Sequence, residues 1–336
     1  MKSVYFVKNL LTRDHPLHAQ WFITRKCNYR CKSCNVWKTQ DSKELTTEEI
    51  LYGLNELKKL GVVDLNITGG NPLLREDIDK IIEYASRHFI TTIYDNGSMA
   101  YKKIDAVKHA DYVAISLDTL DEKKQDYLSD VKCSFRQKIG SIKELLKNKI
   151  PVAISSTVSS LTEYDTVRMI ERYGKFFSFN ISLFQEDPEE AQFSIGENVK
   201  ELETKDKKRM AETFERLVEL KKAGYNILLP EKLLKVVKNY FEKNERSWKC
   251  KAFTKFLTID HLGNVSGCHL KRPVTTIDKL RDFWYSEKAG QIRLENRRCK
   301  GCMYLCYIDY SLPLKTSVET VWTGVKSVLR ELYGTL

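Results

Sequence analysis

The stretch Ala19–Cys34, AQWFITRKCNYRCKSC, decides how the rest of the chain is interpreted. It opens with the mostly apolar run Ala19–Thr24, typical of a buried strand. Cys27, Cys31 and Cys34 follow with the spacing C-x3-C-x2-C. Three thiolates are one short of the four that saturate a [4Fe–4S] cluster, so a cluster held here would keep one iron open for a substrate or cofactor. A zinc site with a fourth ligand from elsewhere is the alternative that this spacing leaves open.

Length and composition describe an ordinary globular chain. Its 336 residues suffice for two domains or for one large barrel with an appendage. Hydrophobic residues make up 42% and charged residues 30%, which excludes disordered and collagen-like chains. No apolar run approaches the roughly 18 residues of a membrane span, and the first residues lack a signal-peptide pattern. We therefore expect a cytoplasmic protein.

The nine cysteines are unevenly distributed and indicate metal binding rather than disulfides. Three form the triplet described above, and Cys133 stands alone. The other five lie near the far end of the chain, at Cys250, Cys268, Cys299, Cys302 and Cys306.

The net charge of +11 is concentrated at the two ends. Residues 1–40 carry eight lysines and arginines against one acidic residue, Asp14. Basic ends are compatible with an anionic substrate, a membrane surface or an acidic partner. Compensation of buried anionic groups within the protein is the equally weighted alternative.

The region from residue 19 to residue 183 alternates between short β-branched runs and amphipathic helical stretches. Such strand–helix repeats predict βαβ units and a parallel sheet. Six units favour a partial (β/α)6 barrel over a closed eightfold one. The predicted strands are Ala19–Thr24, Val62–Thr68, Thr91–Tyr94, Tyr112–Leu117, Pro151–Val158 and Phe177–Leu183.

The cysteine triplet resembles the C-x3-C-x2-C motif of the radical S-adenosylmethionine (radical SAM) superfamily. The likeness continues in order through LNITGGNPLL, IYDNGSM, VAISLDTLDEKK and AISSTVSSLTEY, and spans roughly residues 19–185. It implies that Cys27, Cys31 and Cys34 hold a catalytic [4Fe–4S] cluster whose open iron binds S-adenosylmethionine. It further implies reductive cleavage to a 5′-deoxyadenosyl radical, which abstracts hydrogen from an unactivated C–H bond.

The same resemblance implies which residues contact the cofactor. Outside this context Gly-Gly-Asn-Pro reads as a turn, but in the family its backbone approaches the methionyl amino group. Asn71 stands where the family usually has Glu, so its amide oxygen would accept a hydrogen bond from the ammonium group without the charge-assisted part. The cofactor-binding residues implied are Gly69, Gly70, Asn71, Pro72, Asn96, Ser116 and Asp118.

The distal cysteines resemble the SPASM/twitch extension of radical SAM enzymes, in which a hairpin and a helix supply ligands to auxiliary clusters. The string C-x12-G-x4-C ends at Cys268, and C-x2-C-x3-C begins at Cys299. Five cysteines favour one auxiliary [4Fe–4S] cluster of the twitch type. We expect Cys250, Cys268, Cys299 and Cys302 as its ligands, with Cys306 as the alternative fourth ligand. A zinc site remains the alternative, because C-x-x-C is a common zinc spacing.

Four segments are expected from these patterns. They are a basic N-terminal helix at 1–18, a radical SAM partial barrel at 19–245, a twitch/SPASM-like domain at 246–310 and a C-terminal amphipathic helix at 311–336. The two terminal helices could lie on an anionic membrane, although packing on the barrel is favoured.

The substrate is the least determined part of the prediction. We expect a small or amphiphilic molecule, such as a polyol, a nucleotide-sugar or a lipid, and an electron donor such as flavodoxin or ferredoxin. A membrane surface is a further candidate partner, and no nucleic-acid partner is expected. The alternatives are a peptide-modifying SPASM-type maturase and a non-enzymatic iron–sulfur or zinc binding protein.

Overall fold

A computed structural model describes residues 15–38, 43–185, 199–299 and 301–312, together with Asp187, Ala191, Phe193 and Gly196. The predicted helices at 1–18 and 311–336 fall almost entirely outside these residues. Within the described part of the chain, no helix is both long and apolar enough to cross a bilayer.

Six parallel strands form the centre of the molecule, as the sequence predicts. They run in the order β6-β5-β4-β3-β2-β1, and helices connect them along the chain. The strands are β1 His18–Phe22, β2 Asp64–Thr68, β3 Ile90–Asp95, β4 Tyr112–Ser116, β5 Val152–Val158 and β6 Ser178–Leu183.

The C-terminal hairpin continues this sheet instead of forming a separate layer. Strand β7 (Phe256–Ile259) pairs in parallel with β1, and β8 (Asn264–Ser266) and β9 (Thr275–Thr276) follow antiparallel. The sequence predicts the hairpin but not its pairing partner. The proposed boundary near residue 245 falls in a segment, 244–250, without helix or strand.

Helices cover one face of the sheet, where alternate strand residues form the main apolar core. Trp21, Ile67, Ile93 and Ile115 are all essentially inaccessible to solvent on that face. The helices are α1 Thr47–Leu60, α2 Ile78–His88, α3 Ile104–Val107, α4 Glu122–Ser129, α5 Ser134–Lys147, α6 Glu163–Tyr173, α7 Lys207–Lys222, α8 Glu231–Lys243, α9 Leu280–Trp284, α10 Glu287–Arg297 and α11 Leu305–Ser311.

Helix α1 shows how the local sequence defines these elements. Thr46 caps its first turn, and Glu49 returns a hydrogen bond to the backbone of Thr46, which completes a capping box. Gly61 ends the helix with a φ of 100°, a conformation that favours glycine. A single β-bridge joins Phe179 of β6 to Ile227, in the segment between α7 and α8.

Helix α11 packs on the face of the sheet opposite the covering helices. Tyr307 stacks on Phe256 of β7 with a centroid separation of 4.8 Å, and Tyr310 stacks on His18 of β1 at 4.5 Å. The cysteine-rich end of the chain therefore closes part of the barrel that the six parallel strands leave open.

Gly97 tests the packing of α5 against the end of β3. Its φ is +89°, and a Cβ there would lie 2.6 Å from the Cγ of Lys138. We expect Gly97→Ala to lower the free energy of unfolding by about 2 kcal/mol, measured by denaturant titration. The matched control is Gly140→Ala in α5, where a Cβ meets nothing within 4 Å. That variant should gain up to about 1 kcal/mol, and equal losses in both would contradict this account.

Candidate active site

The cysteine triplet lies on the loop that leaves the carboxyl end of β1. Two backbone bonds tie this loop to the end of α4: Arg30 N–H donates to the Ser129 carbonyl, and Lys32 N–H donates to that of Leu128. Cys34 N–H donates to the Cys31 carbonyl at 3.1 Å, which forms a tight turn between the second and third thiols. All three cysteines are partly buried.

Burial raises the pKa of each thiol in the triplet, that of Cys31 to about 12. After burial, the nearest thiol adds to the rise: Cys31 raises the pKa of Cys34, and Cys27 raises that of Cys31. Cys27 and Cys31 are thus close enough to Cys34 to influence its thiol electrostatically. A set of three soft donors that a metal must deprotonate fits an iron–sulfur cluster.

Among the described residues, no three His, Cys, Asp or Glu side chains are placed to hold a metal ion. Iron and sulfide analysis distinguishes a cluster from zinc at these cysteines.

The Gly-Gly-Asn-Pro turn follows β2 and binds the cysteine loop through its backbone. Gly70 N–H donates to the Thr24 carbonyl and Asn71 N–H to the Lys26 carbonyl, both at 2.8 Å. A Cβ at Gly69 or Gly70 would overlap these same two carbonyls. The glycines are therefore required for close approach to the cysteine loop, a different contact from the approach to the cofactor that we expected.

Asn71 is fully buried, and both polar atoms of its side-chain amide are hydrogen-bonded within the protein. Its Nδ2 donates to Asp95 Oδ1 at 2.7 Å and to Asn96 Oδ1 at 3.0 Å. Its Oδ1 accepts from the Leu73 N–H at 3.0 Å. The amide is therefore used to couple the turn after β2 to the end of β3.

Asn96 connects this buried amide pair to the first cysteine. Its Nδ2 donates to Asn28 Oδ1 at 2.9 Å and lies 3.9 Å from Cys27 Sγ. The predicted residues Asn71 and Asn96 thus meet each other and the cysteine loop, and both act in positioning Cys27.

Lys138 of α5 is a functional candidate that our sequence analysis missed. It is 2% exposed, and its Nζ donates to the carbonyls of Asn96 and Ser116 at 3.0 and 2.8 Å. Burial lowers its pKa, whereas the neighbouring thiol of Cys31 and carboxyl of Asp118 raise it. The sequence did contain a signal for its burial: Lys138 lies four residues before Ile142 and therefore on the apolar face of α5.

Ser116 and Asp118 lie at the carboxyl end of β4, next to Lys138. Asp118 Oδ1 accepts from the Thr157 N–H at 2.8 Å, and burial raises the pKa of this carboxyl despite the nearby cation. The Ser116 hydroxyl is partly exposed and has no hydrogen-bond partner among the described residues. Ser116 is therefore a predicted cofactor contact whose side chain is available for a hydrogen bond to a ligand.

The distal cysteines form a second group around the hairpin. Burial raises the pKa of Cys268 and Cys302 to about 12, and the nearby thiol of Cys250 raises both further. The thiol of Cys299 acts in the same direction on Cys250 and Cys302. Burial raises the pKa of Cys250, and the cations Arg246 and Lys271 act against that rise. Three of the four expected ligands, Cys250, Cys268 and Cys302, pack in one cluster with Cys306.

Cys306 lies on the first turn of α11 and packs in the same cluster as Cys250, Cys268 and Cys302. Burial raises its pKa to about 12, and Cys302 adds to the rise. Burial also raises the pKa of Tyr94 on β3, and Cys306 adds to that rise. Cys306 therefore lies near both Cys302 and Tyr94. Cys133 is exposed and far from both groups in sequence.

Comparison with known families places residues 21–176 in the radical SAM superfamily model. The matched region runs from β1 to the end of α6. It contains the cysteine triplet, the Gly-Gly-Asn-Pro turn, Asn96, Ser116 and Lys138.

Two solved radical SAM structures share the fold. Streptococcus suis SuiB bound to S-adenosylmethionine has a TM-score of 0.66, 18% identity, and coverage of 87% of this chain and 71% of its own. The anSMEcpe structure with bound AdoMet has a TM-score of 0.62, 13% identity, and coverage of 94% and 98%. At these identities the likeness shows the fold alone.

A curated relative is a probable GTP 3′,8-cyclase of Methanocella arvoryzae. It is 27% identical over 154 residues, which cover 44% of this chain and 50% of the relative. The chain thus spans about half the length of this relative.

The buried contact between Asn71 and Asp95 predicts the effect of restoring an acidic residue. Asn71→Glu places a second carboxyl beside Asp95, whose pKa is already raised by burial. We expect the free energy of unfolding to fall by about 3 kcal/mol at pH 7. The folded-state pKa of this carboxyl pair lies above the unfolded values. The loss should therefore grow as pH rises from the ordinary carboxyl range through that raised value, and shrink at pH 4.

Denaturant titrations at pH 4, 6 and 8 measure this effect. Asn28→Glu is the control, because Asn28 is the exposed end of the same network; it should change the unfolding free energy by less than about 0.5 kcal/mol. An Asn71→Glu variant as stable as the parent at pH 8 would show that the side chain at this position can face away from Asp95.

Proposed function

We propose that this chain is a radical SAM enzyme, that Cys27, Cys31 and Cys34 hold its catalytic cluster, and that it acts on a small substrate inside the barrel. The observation that carries the proposal is the loop after β1, where the turn after β2 fixes the segment with the three partly buried cysteines. The turn, Asn96 and Lys138 all converge on this loop.

When bound, the cluster and S-adenosylmethionine supply one-electron cleavage of the sulfonium and a 5′-deoxyadenosyl radical that abstracts hydrogen. The chain's own residues bind, orient and shield these groups. Lys138 places a buried positive charge beside the thiol of Cys31, and this charge offsets the negative charge of thiolate ligands. An electron donor such as flavodoxin or ferredoxin belongs to the proposal, because the cleavage needs one electron.

The carboxyl ends of β1 to β4 supply the residues that we propose for S-adenosylmethionine. Ser116 offers a free hydroxyl, and the carboxyl of Asp118, which Thr157 and Gln125 hold in place, lies two residues further on. Gly69, Gly70, Asn71 and Pro72 act indirectly by positioning the cysteine loop. Barrel enzymes place their sites at this end of the strands.

We also propose that residues 246–310 hold one auxiliary [4Fe–4S] cluster on Cys250, Cys268, Cys299 and Cys302. The support is that Cys250, Cys268 and Cys302 pack in one cluster and that Cys299 and Arg246 lie near Cys250 and Cys302. Four ligands saturate a cluster, which suits electron transfer or structural stabilisation. The division from the barrel at residue 245 belongs to the same proposal.

A peptide is the second candidate substrate, and the fold neighbours favour it. SuiB has been solved bound to its precursor peptide SuiA, and anSMEcpe with bound Cp18Cys peptide. A small substrate and a peptide differ in the side chains that they need on the inner face of the barrel.

The triplet is tested by replacing Cys27, Cys31 and Cys34 together with Ala. We expect the reconstituted variant to lose about four irons per chain and all reductive release of 5′-deoxyadenosine, while it keeps the second cluster. Iron and sulfide analysis and chromatography of the products measure both effects. Cys133→Ala is the matched control and should retain all iron. Release of 5′-deoxyadenosine by the triple variant would refute the assignment.

The fourth auxiliary ligand is tested by single variants at Cys302 and Cys306. Cys306→Ala should keep about eight irons, because the proposed ligand set of Cys250, Cys268, Cys299 and Cys302 is complete without it. Cys302→Ala should lower the count to about four. The reverse result would assign the fourth ligand to Cys306.

A further inference from the structure

The face of the sheet opposite the helices is lined by neutral polar side chains. Burial alternates strictly along β2, β3 and β6, with partly exposed residues between buried ones. The buried residues pack on the helices, so the partly exposed ones share the inner face. Apart from Asp64 and Ile90 at the start of their strands, these inner residues are neutral and polar: Gln20, Asn66, Thr68, Thr92, Tyr94, Tyr112, Ser116, Ser155, Thr157, Ser178, Asn180 and Ser182.

The inner face is concave and encloses a lumen. Asn180 of β6 donates to the Tyr94 hydroxyl of β3 at 2.9 Å, although β4 and β5 lie between these strands. Three strand spacings amount to about 14 Å along a flat sheet. Only a sheet curled towards this face brings the two side chains into contact.

The register aligns the polar groups in rows across neighbouring strands. Gln20 lies beside Asn66, which lies beside Thr92. In a second row Ser116 lies beside Ser155, which lies beside Asn180. Adjacent members of a row are one strand spacing apart, about 4.8 Å. Each row therefore presents a series of hydrogen-bonding groups at regular intervals.

Several of these groups have no protein partner. Among the described residues, the side chains of Asn66, Thr68, Thr92, Ser116 and Ser155 form no hydrogen bond. The interior of a closed (β/α)8 barrel is instead filled by bulky branched residues. Partly exposed hydroxyls and amides are unsuited to a packed core and suited to a wet binding site.

The charged groups at the edges of the lumen are already engaged. Asp64 contacts His18 Nδ1 at 2.7 Å and also accepts from the Tyr310 hydroxyl. Asp118 accepts from the Thr157 backbone, and the Lys138 ammonium donates to two carbonyls. The inner rows themselves contain no charged side chain. An ionic substrate would thus find no free counter-charge along them.

We propose that this lumen binds the reacting part of a neutral, polyhydroxylated substrate such as a polyol or a sugar. The proposal rests on the radical SAM function above and specifies its substrate class. Hydroxyl groups can both donate to and accept from the Asn66, Thr92 and Ser155 side chains. An alkyl chain would leave these groups dehydrated and unpaired, at a cost in affinity.

Equilibrium dialysis of the full-length, reconstituted protein tests this inference. The probes are ¹⁴C-labelled myo-inositol and glucose as neutral polyols, glutamate as an ionic molecule, octanoate as an alkyl chain and a neutral peptide, triglycine. We expect saturable binding of at least one polyol. Thr92→Val and Asn66→Leu keep the side-chain shape and should each weaken that binding about tenfold, because a hydrogen bond is lost. Thr276→Val in β9, a partly exposed strand threonine at the far edge of the sheet, should bind as the parent does.

Three results of the dialysis would overturn the inference. The first is that neither polyol binds, and the second is that glutamate, octanoate or triglycine binds more tightly than the polyols. The third is that Thr92→Val and Asn66→Leu leave polyol binding unchanged. Reductive release of 5′-deoxyadenosine is measured in the same preparation. If release occurs without polyol binding, only the substrate class is wrong; if a fully iron-loaded protein releases none, the proposed function itself fails.

Discussion

The close backbone contact between the cysteine loop and the turn after β2 is the constraint on which the site depends. Gly70 and Asn71 donate to the carbonyls of Thr24 and Lys26, and no side chain could fit between the two segments. Because the contact is made by backbone atoms, it fixes the loop relative to the sheet with little freedom. The positions of the three thiols follow from it.

A second layer of contacts extends this constraint to β3, β4 and α5. The Asn71 amide links the turn to Asp95 and Asn96, and the Lys138 ammonium joins the carbonyl ends of β3 and β4. Polar groups buried to this degree are stable only when they are paired. The network therefore rigidifies the site, and each member limits the substitutions that its neighbours tolerate.

The sequence predicted the elements well and their contacts less well. Periodicity located all six parallel strands, because alternation and β-branched runs are local properties. The pairing of β7 with β1 joins residues at opposite ends of the chain, and no local pattern encodes it. The hydrogen bond from the Asn71 amide to Asp95 was not predicted for a related reason, since Asp95 belongs to another strand. Lys138 was overlooked because a lysine within an amphipathic helix usually faces solvent, and its partners are carbonyls that only the fold brings together.

The pairing of β1 with β7 also has a consequence for synthesis on the ribosome. The edge of β1 that β7 covers stays unpaired until residues 256–259 have been made, long after β1 itself. At typical elongation rates this delay is on the order of 10–50 s. An uncovered strand edge is a template for pairing with other chains. Nascent or truncated chains that lack the hairpin should thus be the species most in need of chaperone protection.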